Sequence, residues 1–272
     1  YLESVMRVYN LKGRRDNMKR LRIKFLVKEL GAAEFSRLVD EDWKHTKNDP
    51  NLKLNFNHLD QLKKVFALPV KSLEISGFKE PVDFNYSIWK KNNVRKHKLS
   101  GYSIANVSLT KLDSSPGDVT SKQMRILASL AEQYSNGYLR TTKRQSIVFP
   151  HVRKDQVFDL WQSLEEHGLA SAHQGTLAQI VACPGNDYCE LAKAASIPIA
   201  TRVQKRFDDM DKLLDIGDLN INISGCENSC AHHHIADIGL LGMKKNNVEF
   251  YQVTVAGETL NETVIGKKLG RS

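Results

Sequence analysis

Ala178-Gln-Ile-Val-Ala-Cys-Pro-Gly-Asn-Asp-Tyr-Cys189 and Leu219-Asn-Ile-Asn-Ile-Ser-Gly-Cys-Glu-Asn-Ser-Cys230 repeat one device. Each runs from an apolar stretch through a glycine-containing turn into two cysteines. Cys183 and Cys189 form a C-x5-C pair, Cys226 and Cys230 a C-x3-C pair, and the chain has 4 cysteines in all. Four thiolates in two short pairs supply one soft anionic ligand for each iron of a cubane cluster. Ala178–Ala182 is apolar enough for a buried strand. Leu219, Ile221 and Ile223 alternate with Asn220, Asn222 and Ser224, the pattern of a strand with one polar face. The sulfurs are expected where strand passes into helix, with Glu190–Ala195 helical after the first pair. The second pair is expected on a helix that begins at Cys226 and turns Cys226 and Cys230 the same way. Gly185 and Gly225 would let the backbone turn beside bulky sulfides.

Upstream, Tyr102–Leu109 alternates like a strand and Ser-Ser-Pro-Gly within Asp113–Asp118 marks a turn. Thr120 or Ser121 can cap a helix reaching about Tyr134, with Met124, Leu127, Ala128 and Ala131 on one face. Asn136-Gly137 breaks the chain, Tyr138–Phe149 reads as one or two strands, and Asp155–His167 as a helix ending at Gly168. Strand, helix, strand, helix makes a small α+β unit of ferredoxin-like character. Residues 1–40 read as helical, with Leu21, Phe25, Leu26 and Leu30 in phase and Gly31 as a C-cap. A second helix is expected over Ala33–Trp43. Residues 44–100, polar and poorly periodic, read as connection plus surface strands. The first residues read as a helix already under way, so the chain is expected to be a piece of something longer.

The 272 residues, 41% hydrophobic, are enough to bury a full core. No stretch approaches the roughly 18 consecutive apolar residues of a membrane helix, and no signal peptide is visible. The net charge of +9 suits a solvated basic surface or a surface for an acidic partner or anionic ligand. Lys12, Arg14, Arg15, Lys19, Arg20, Arg22 and Lys24 concentrate it near the N-terminus. No nucleic-acid motif is present, and neither nucleic acid nor membrane is an expected partner. A domain of this size needs no disulfide staples, so a reducing cytoplasm is the simpler compartment. The sequons at Asn106, Asn222 and Asn261 then carry no meaning. Zinc is the main competitor for the cysteines, although it favours C-x2-C or C-x4-C knuckles on hairpin turns, which the x5 and x3 spacings fit poorly. His232, His233 and His234 follow Cys230; a helix face with partner hydrogen bonds is their plainer reading, and a place near an anionic cofactor the sharper one.

The segments Ala182-Cys-Pro-Gly-Asn-Asp-Tyr-Cys-Glu-Leu-Ala192 and Ile223-Ser-Gly-Cys-Glu-Asn-Ser-Cys-Ala-His-His-His-Ile-Ala-Asp-Ile-Gly-Leu240 resemble the two cysteine signatures of the sirohaem-dependent nitrite and sulfite reductases. Leu139-Arg-Thr-Thr-Lys-Arg-Gln-Ser-Ile-Val-Phe149 resembles the strand motif closing that family's ferredoxin-like half-domain. Gly13-Arg-Arg-Asp-Asn-Met-Lys-Arg-Leu-Arg-Ile-Lys-Phe25 resembles the basic helix near the end of its first sirohaem half. The resemblance is weakest over 44–98.

That resemblance implies an α+β fold, a ferredoxin-like half-domain followed by a sirohaem/[4Fe–4S] domain within a tandem-repeat reductase. On this map residues 1–75 end the first sirohaem-type domain and 76–98 connect. Residues 99–168 form the second ferredoxin-like half-domain, and 169–272 the second sirohaem/[4Fe–4S] domain, cut short. Cys183, Cys189, Cys226 and Cys230 would ligate the cluster, and Cys230 would also bridge to the sirohaem iron. Asn228 matches a position that contacts sirohaem; Arg15, Arg22 and Lys24 are candidates for its carboxylates. The implied activity is the six-electron reduction of nitrite to ammonia or sulfite to sulfide. Electrons would come from a ferredoxin-type donor, and the full-length protein would be a monomer. The residues lining the substrate face are expected in the missing first repeat. A non-catalytic electron-relay module and a precorrin-modifying relative of the same fold stand as alternatives. Three features depart from or fall outside the pattern. Glu227 stands where the family often has proline, and Met18 where a second arginine is expected. Arg144 and Gln145, in a repeat whose cofactor pocket is normally empty, carry no catalytic assignment.

Overall fold

Thr120 starts the best-defined helix of the chain. Its hydroxyl accepts from the Gln123 N–H while the Gln123 side chain accepts from the Thr120 N–H, a reciprocal cap on α6 (Ser121–Tyr134). The structure is a computed structural model that describes residues 1–53, 56–110, 114–207, 209–258 and 263–270. Asp113 and Asn261, named above in a turn and a sequon, lie outside the described residues, as does the side chain of Lys19.

The chain divides into two compact units, residues 1–68 and 69–272. The first is helical: α1 (Leu2–Lys12), α2 (Ile23–Leu30), α3 (Ala32–Thr46) and α4 (Phe56–Val65). Gly31, at φ 81°, ends α2 and lets α3 start one residue later. Tyr1 and Arg7 of the first helical segment bond Asp40 and Asp42 of α3 at 2.7 and 3.1 Å. The basic run from Lys12 to Lys24 is not one helix. Gly13 leaves α1 in an extended conformation, and Arg14 folds back onto Asp16 at 2.9 Å. A short 3-10 turn over Met18–Arg20 then leads to α2.

The second unit holds two sheets. The elements up to the first cysteine are α5 (Phe84–Asn93), β1 (Val94–Lys96), β2 (Tyr102–Val107), α6, β3 (Arg140–Thr141), β4 (Ile147–Arg153), α7 (Val157–Glu166) and β5 (Val181–Ala182). Then come α8 (Ile197–Arg206), α9 (Met210–Ile216), β6 (Ile221–Ser224), β7 (Ile238–Lys245), β8 (Val248–Val255) and β9 (Lys267–Lys268). The first sheet runs β1-β2-β4-β3, antiparallel throughout. β2 alternates half-buried and buried residues as its sequence alternates. Its core joins Ala105, Val107 and Phe149 of the sheet to Leu127 of α6, Leu160 and Leu164 of α7, and Tyr86 and Trp89 of α5. Residues 44–100, expected as connection plus surface strands, hold one such strand, the edge strand β1, together with the helices α4 and α5. The signal for α5 was in the sequence: Asp83 accepts from the Tyr86 N–H at 2.8 Å as an N-cap. The buried face of α6 is Leu127, Leu130, Ala131 and Tyr134; Met124 and Ala128 are exposed, because the apolar stripe faces the sheet only in the last turns.

The second sheet runs β5-β6-β7-β8-β9, with β5, β6 and β7 parallel and β8 and β9 antiparallel to their neighbours. Ile180, Ile223, Ala200 and Leu213 lie in its core. Pro198 sits in the first turn of α8, where its missing N–H costs nothing. Among the described residues no helix is long and apolar enough to cross a membrane.

Candidate metal centre

β5 and β6 are parallel neighbours in register, Ala182 opposite Ile223, so the chain leaves both strands at the same end of the sheet. Cys183 is the next residue after β5, and Cys226 the second after β6. The Cys183 N–H continues the ladder to the Ile223 oxygen at 3.0 Å, and the Gly225 N–H donates to Cys183 Sγ at 3.0 Å. Ser196 Oγ, fully buried, lies 3.4 Å from the same sulfur.

The two cysteine loops are folded against each other through backbone. The Lys193 and Ala194 N–H groups both donate to the Gly225 oxygen, at 2.8 and 3.1 Å. A Cβ on Gly225 would come 2.8 Å from the Ala194 oxygen and 3.1 Å from the Gly185 Cα; one on Gly185, at φ +60°, would come 2.5 Å from the Ser196 nitrogen. Glycine at 185 and 225 is thus demanded by approach of main chain to main chain, as well as by the turn. Glu249 of β8 accepts from Asn186 Nδ2 at 2.6 Å and from the Ala195 N–H at 3.0 Å. The Tyr251 hydroxyl donates to the Ala195 oxygen. Lys193 and Glu227 form an ion pair at 2.7 Å that joins the first loop to the second.

Neither cysteine pair lies on a helix. The Cys189 N–H bonds the Gly185 oxygen at 3.0 Å, Glu190–Ala195 is a series of turns, and α8 starts only at Ile197. After β6 the Ser229 N–H reaches Cys226 O and the His232 N–H reaches Ser229 O, three-residue bonds rather than a helical ladder. Ser229 at φ 59° and His232 at φ 53° are left-handed, which no α-helix accommodates. The expected helix N-terminus facing the sulfurs is therefore replaced by individual amides. Gly225 N–H serves Cys183, and Asn228 N–H bonds the Cys226 sulfur.

Cys226 is buried, Cys183 and Cys189 are half-buried, and Cys230 is exposed. Burial pushes the Cys226 thiol up, and the nearby Glu227, Cys230 and Cys183 push it further; the Asn228 amide opposes them. Cys183 and Cys230 thus each lie within electrostatic reach of Cys226, while Cys189 is tied through its backbone to the loop that carries Cys183. Among the described residues no three His, Cys, Asp or Glu side chains form a group that could hold a single metal ion. Asn228 is half-buried beside Cys226. Arg15, Arg22 and Lys24 belong to the separate unit 1–68. There Arg15 lies 4.8 Å over the Tyr9 ring and donates to Asn10 Oδ1 at 3.1 Å. Arg22 sits at the N-cap of α2, and Lys24 lies 5.3 Å over Phe25. Ser196, Glu249 and Lys193 carry no signal in the sequence that would single them out, because each acts across the fold.

His233 and His234 lie on a 3-10 turn that His232 precedes in left-handed backbone, not on a helix face. His232 is exposed, His234 is half-buried, and His233 is 5% exposed with Nδ1 unpartnered among the described residues. Burial, and then the charge of His234, pushes His233 down to about 4. The unfolded chain, with a histidine near 6.5, binds more protons between those values. Stability is therefore complete above about pH 6.5 and is lost as pH falls toward 4. Denaturant unfolding at pH 7 and pH 5 should show the wild type losing about 2 kcal/mol more than His233→Asn. Equal losses in the two proteins would contradict this reading.

Fold and site define an α+β protein with a ferredoxin-like antiparallel sheet beside a mixed sheet that presents cysteines at the ends of two parallel strands. The chain belongs to the nitrite and sulphite reductase 4Fe-4S domain family, whose sequence profile matches residues 1–47 and 174–271, more than half of its length. The nitrite/sulfite reductase ferredoxin-like half domain matches residues 112–167 between them. The chain is 25% identical over 98% of its length to sulfite reductase (ferredoxin) 1 of Mycolicibacterium paratuberculosis, covering 43% of that protein. It is 26% identical over 88% of its length to the chloroplastic ferredoxin–nitrite reductase of Zea mays, covering 37% of it. The solved structure of the Mycobacterium tuberculosis NirA protein superposes with a TM-score of 0.60 at 23% identity, over 96% of this chain and 43% of that one, and shares the fold. The chain thus spans about two fifths of the length of these relatives.

Proposed function

We propose that this chain is the cluster-bearing part of a sirohaem-dependent reductase, with Cys183, Cys189, Cys226 and Cys230 as the four ligands of a [4Fe–4S] cluster. The observation that carries this is the pairing of β5 with β6, which delivers Cys183 and Cys226 side by side with the Gly225 amide on the Cys183 sulfur. The donor set fits the group. Soft sulfurs, amide donors directed at two of them and glycine backbone at closest approach are what an anionic sulfide cluster requires. Iron takes the thiolate, so the raised Cys226 thiol must release its proton on binding, and assembly is favoured as pH rises.

In this reading Cys230, the exposed cysteine, and Asn228 would help to hold a sirohaem, and Arg15, Arg22 and Lys24 would be the candidates for its carboxylates. When bound, cluster and sirohaem together supply electrons one at a time to nitrite or sulfite, reduced by six electrons to ammonia or sulfide. The protein's part is to exclude water from Cys226, to hold the two loops together through the Gly225 oxygen and Glu249, and to leave Cys230 open. The donor is a ferredoxin-type protein, the assembled reductase is a cytoplasmic monomer, and the residues gripping the substrate belong to the preceding repeat. The division into 1–75, 76–98, 99–168 and 169–272 is part of this proposal.

The test is turnover by the full-length protein. Reduced ferredoxin with nitrite or sulfite should yield ammonia or sulfide, and Cys230→Ser should lower the rate at least a hundredfold. A full-length protein that carries the cluster but turns over neither anion would favour an electron-relay role.

A further inference from the structure

Gln145 does something unusual for a side chain in a hairpin turn. Its Nε2 donates to the Ala182 oxygen at 2.7 Å, and its Oε1 accepts from the Ala182 N–H at 3.0 Å. Ala182 is the last residue of β5, and β5 is an edge strand of its sheet. On its inner side the chain bonds β6 through Cys183 N–H and Ile223 O. On its outer side the carboxamide takes both free polar groups of Ala182, as the peptide group of one more strand would. The next residue is Cys183.

The turn is built to present this side chain. Gln145 has φ +54°, a left-handed conformation that a non-glycine residue adopts only when its surroundings impose it. The imposing bonds run from Thr142 N–H to Ser146 O at 3.0 Å, from Gln145 N–H to Thr142 O at 3.2 Å, and between the Thr142 and Ser146 hydroxyls at 2.7 Å. Gly117 leaves the space: a Cβ there would come 2.8 Å from the Gln145 Cβ. The turn lies between β3 and β4 of the antiparallel sheet, whereas Ala182 belongs to the other sheet. One amide therefore ties the ferredoxin-like sheet to the start of the first cysteine loop.

We infer that Gln145 is a positioning residue for Cys183: its carboxamide closes the open edge of β5 and fixes the direction in which the chain departs into the cysteine loop. The consequence for cluster retention rests on the cluster reading above; the clamp itself does not.

Three variants separate the bonds from the bulk. Gln145→Met keeps the volume and loses both hydrogen bonds, Gln145→Glu keeps an acceptor for the Ala182 N–H but sets a carboxylate against the Ala182 oxygen, and Gln145→Ala loses everything. Amide exchange at Ala182 and Cys183 in the full chain should speed up about tenfold or more in all three, two neutral hydrogen bonds being at stake. The amides of β2 and β4 should keep their protection. In chain reconstituted with iron and sulfide, a chelator should strip iron several-fold faster from Gln145→Met, and the electron-paramagnetic-resonance line shape of the reduced cluster should change. Unchanged exchange at Ala182 and Cys183 in Gln145→Met and Gln145→Glu would overturn the clamp. Faster exchange with unchanged iron loss and line shape would overturn its role in positioning Cys183. If the wild type held no iron, the cluster reading would fail, and the exchange rates would still decide the clamp.

Discussion

Replacing Cys226 with serine should abolish the metal centre while leaving the fold standing. Cys226 is 7% exposed and follows β6 by two residues, so its sulfur lies inside the wall of the site. Serine nearly matches cysteine in shape, and the loop around it is held by main-chain bonds through Gly225 that do not involve the side chain. Loss of stability should therefore stay within about 1 kcal/mol. Iron affinity should collapse, because a hydroxyl is a hard, weakly acidic ligand where iron in a sulfide cluster takes thiolate. Reconstituted Cys226→Ser should hold less than about a tenth of the wild-type iron, given one ligand lost from a four-ligand set. Cys230→Ser, at the exposed position, should keep its fold equally well and disturb the centre from the open side. Wild-type iron in Cys226→Ser, with unchanged spectra, would remove Cys226 from the ligand set.

Gly185→Ala should be a strongly damaging methyl in the first cysteine loop. Two costs coincide there. The backbone is at φ +60°, where an alanine costs about 1–2 kcal/mol, and the new methyl would lie 2.5 Å from the Ser196 nitrogen and 3.2 Å from the Ala194 oxygen. Those atoms are main chain at the start of α8 and cannot swing aside. A destabilisation of about 2–4 kcal/mol is expected, with Cys189 displaced because its N–H bonds the Gly185 oxygen. Gly175→Ala separates the two costs. Gly175 has φ +83°, but the nearest atom to its added methyl is 4.0 Å away, so only the backbone cost of about 1 kcal/mol remains. Denaturant midpoints for the pair measure the difference; equal midpoints would mean that the loop relaxes around the extra methyl and that the close approach has no energetic weight.

Local signals were legible in the chain where the structure uses them locally. The cap read at Thr120 or Ser121, which falls on Thr120, the alternation of β2 and the left-handed Asn136-Gly137 break all act within a few residues. The cysteine spacing pointed to a soft-ligand site because such chemistry asks for sulfur regardless of fold, and the structure brings Cys183 and Cys226 to the ends of the paired strands β5 and β6. Conformation between the cysteines was not legible. Ser229 and His232 are ordinary residues held in left-handed backbone, and Glu190–Ala195 has its amides claimed by Gly225 and Glu249, partners many residues away. Helical spacing read from Cys226 and Cys230 could not compete with those tertiary bonds. Residues 44–100 showed no helical period because α4 buries no residue and α5 buries only Tyr86, Trp89 and Asn93, too few to print one on the sequence. Gln145 was visible only as part of a strand motif, since its partner stands in the other sheet.

The most direct measurement is iron, acid-labile sulfide and zinc determined together on the purified protein, with Mössbauer spectra of the same sample. The ends of β5 and β6 and the two glycine-packed loops predict four irons and four sulfides per chain, as in the 4Fe-4S domain of the family. A single zinc held by the cysteines, with no sulfide, would contradict the account at its root.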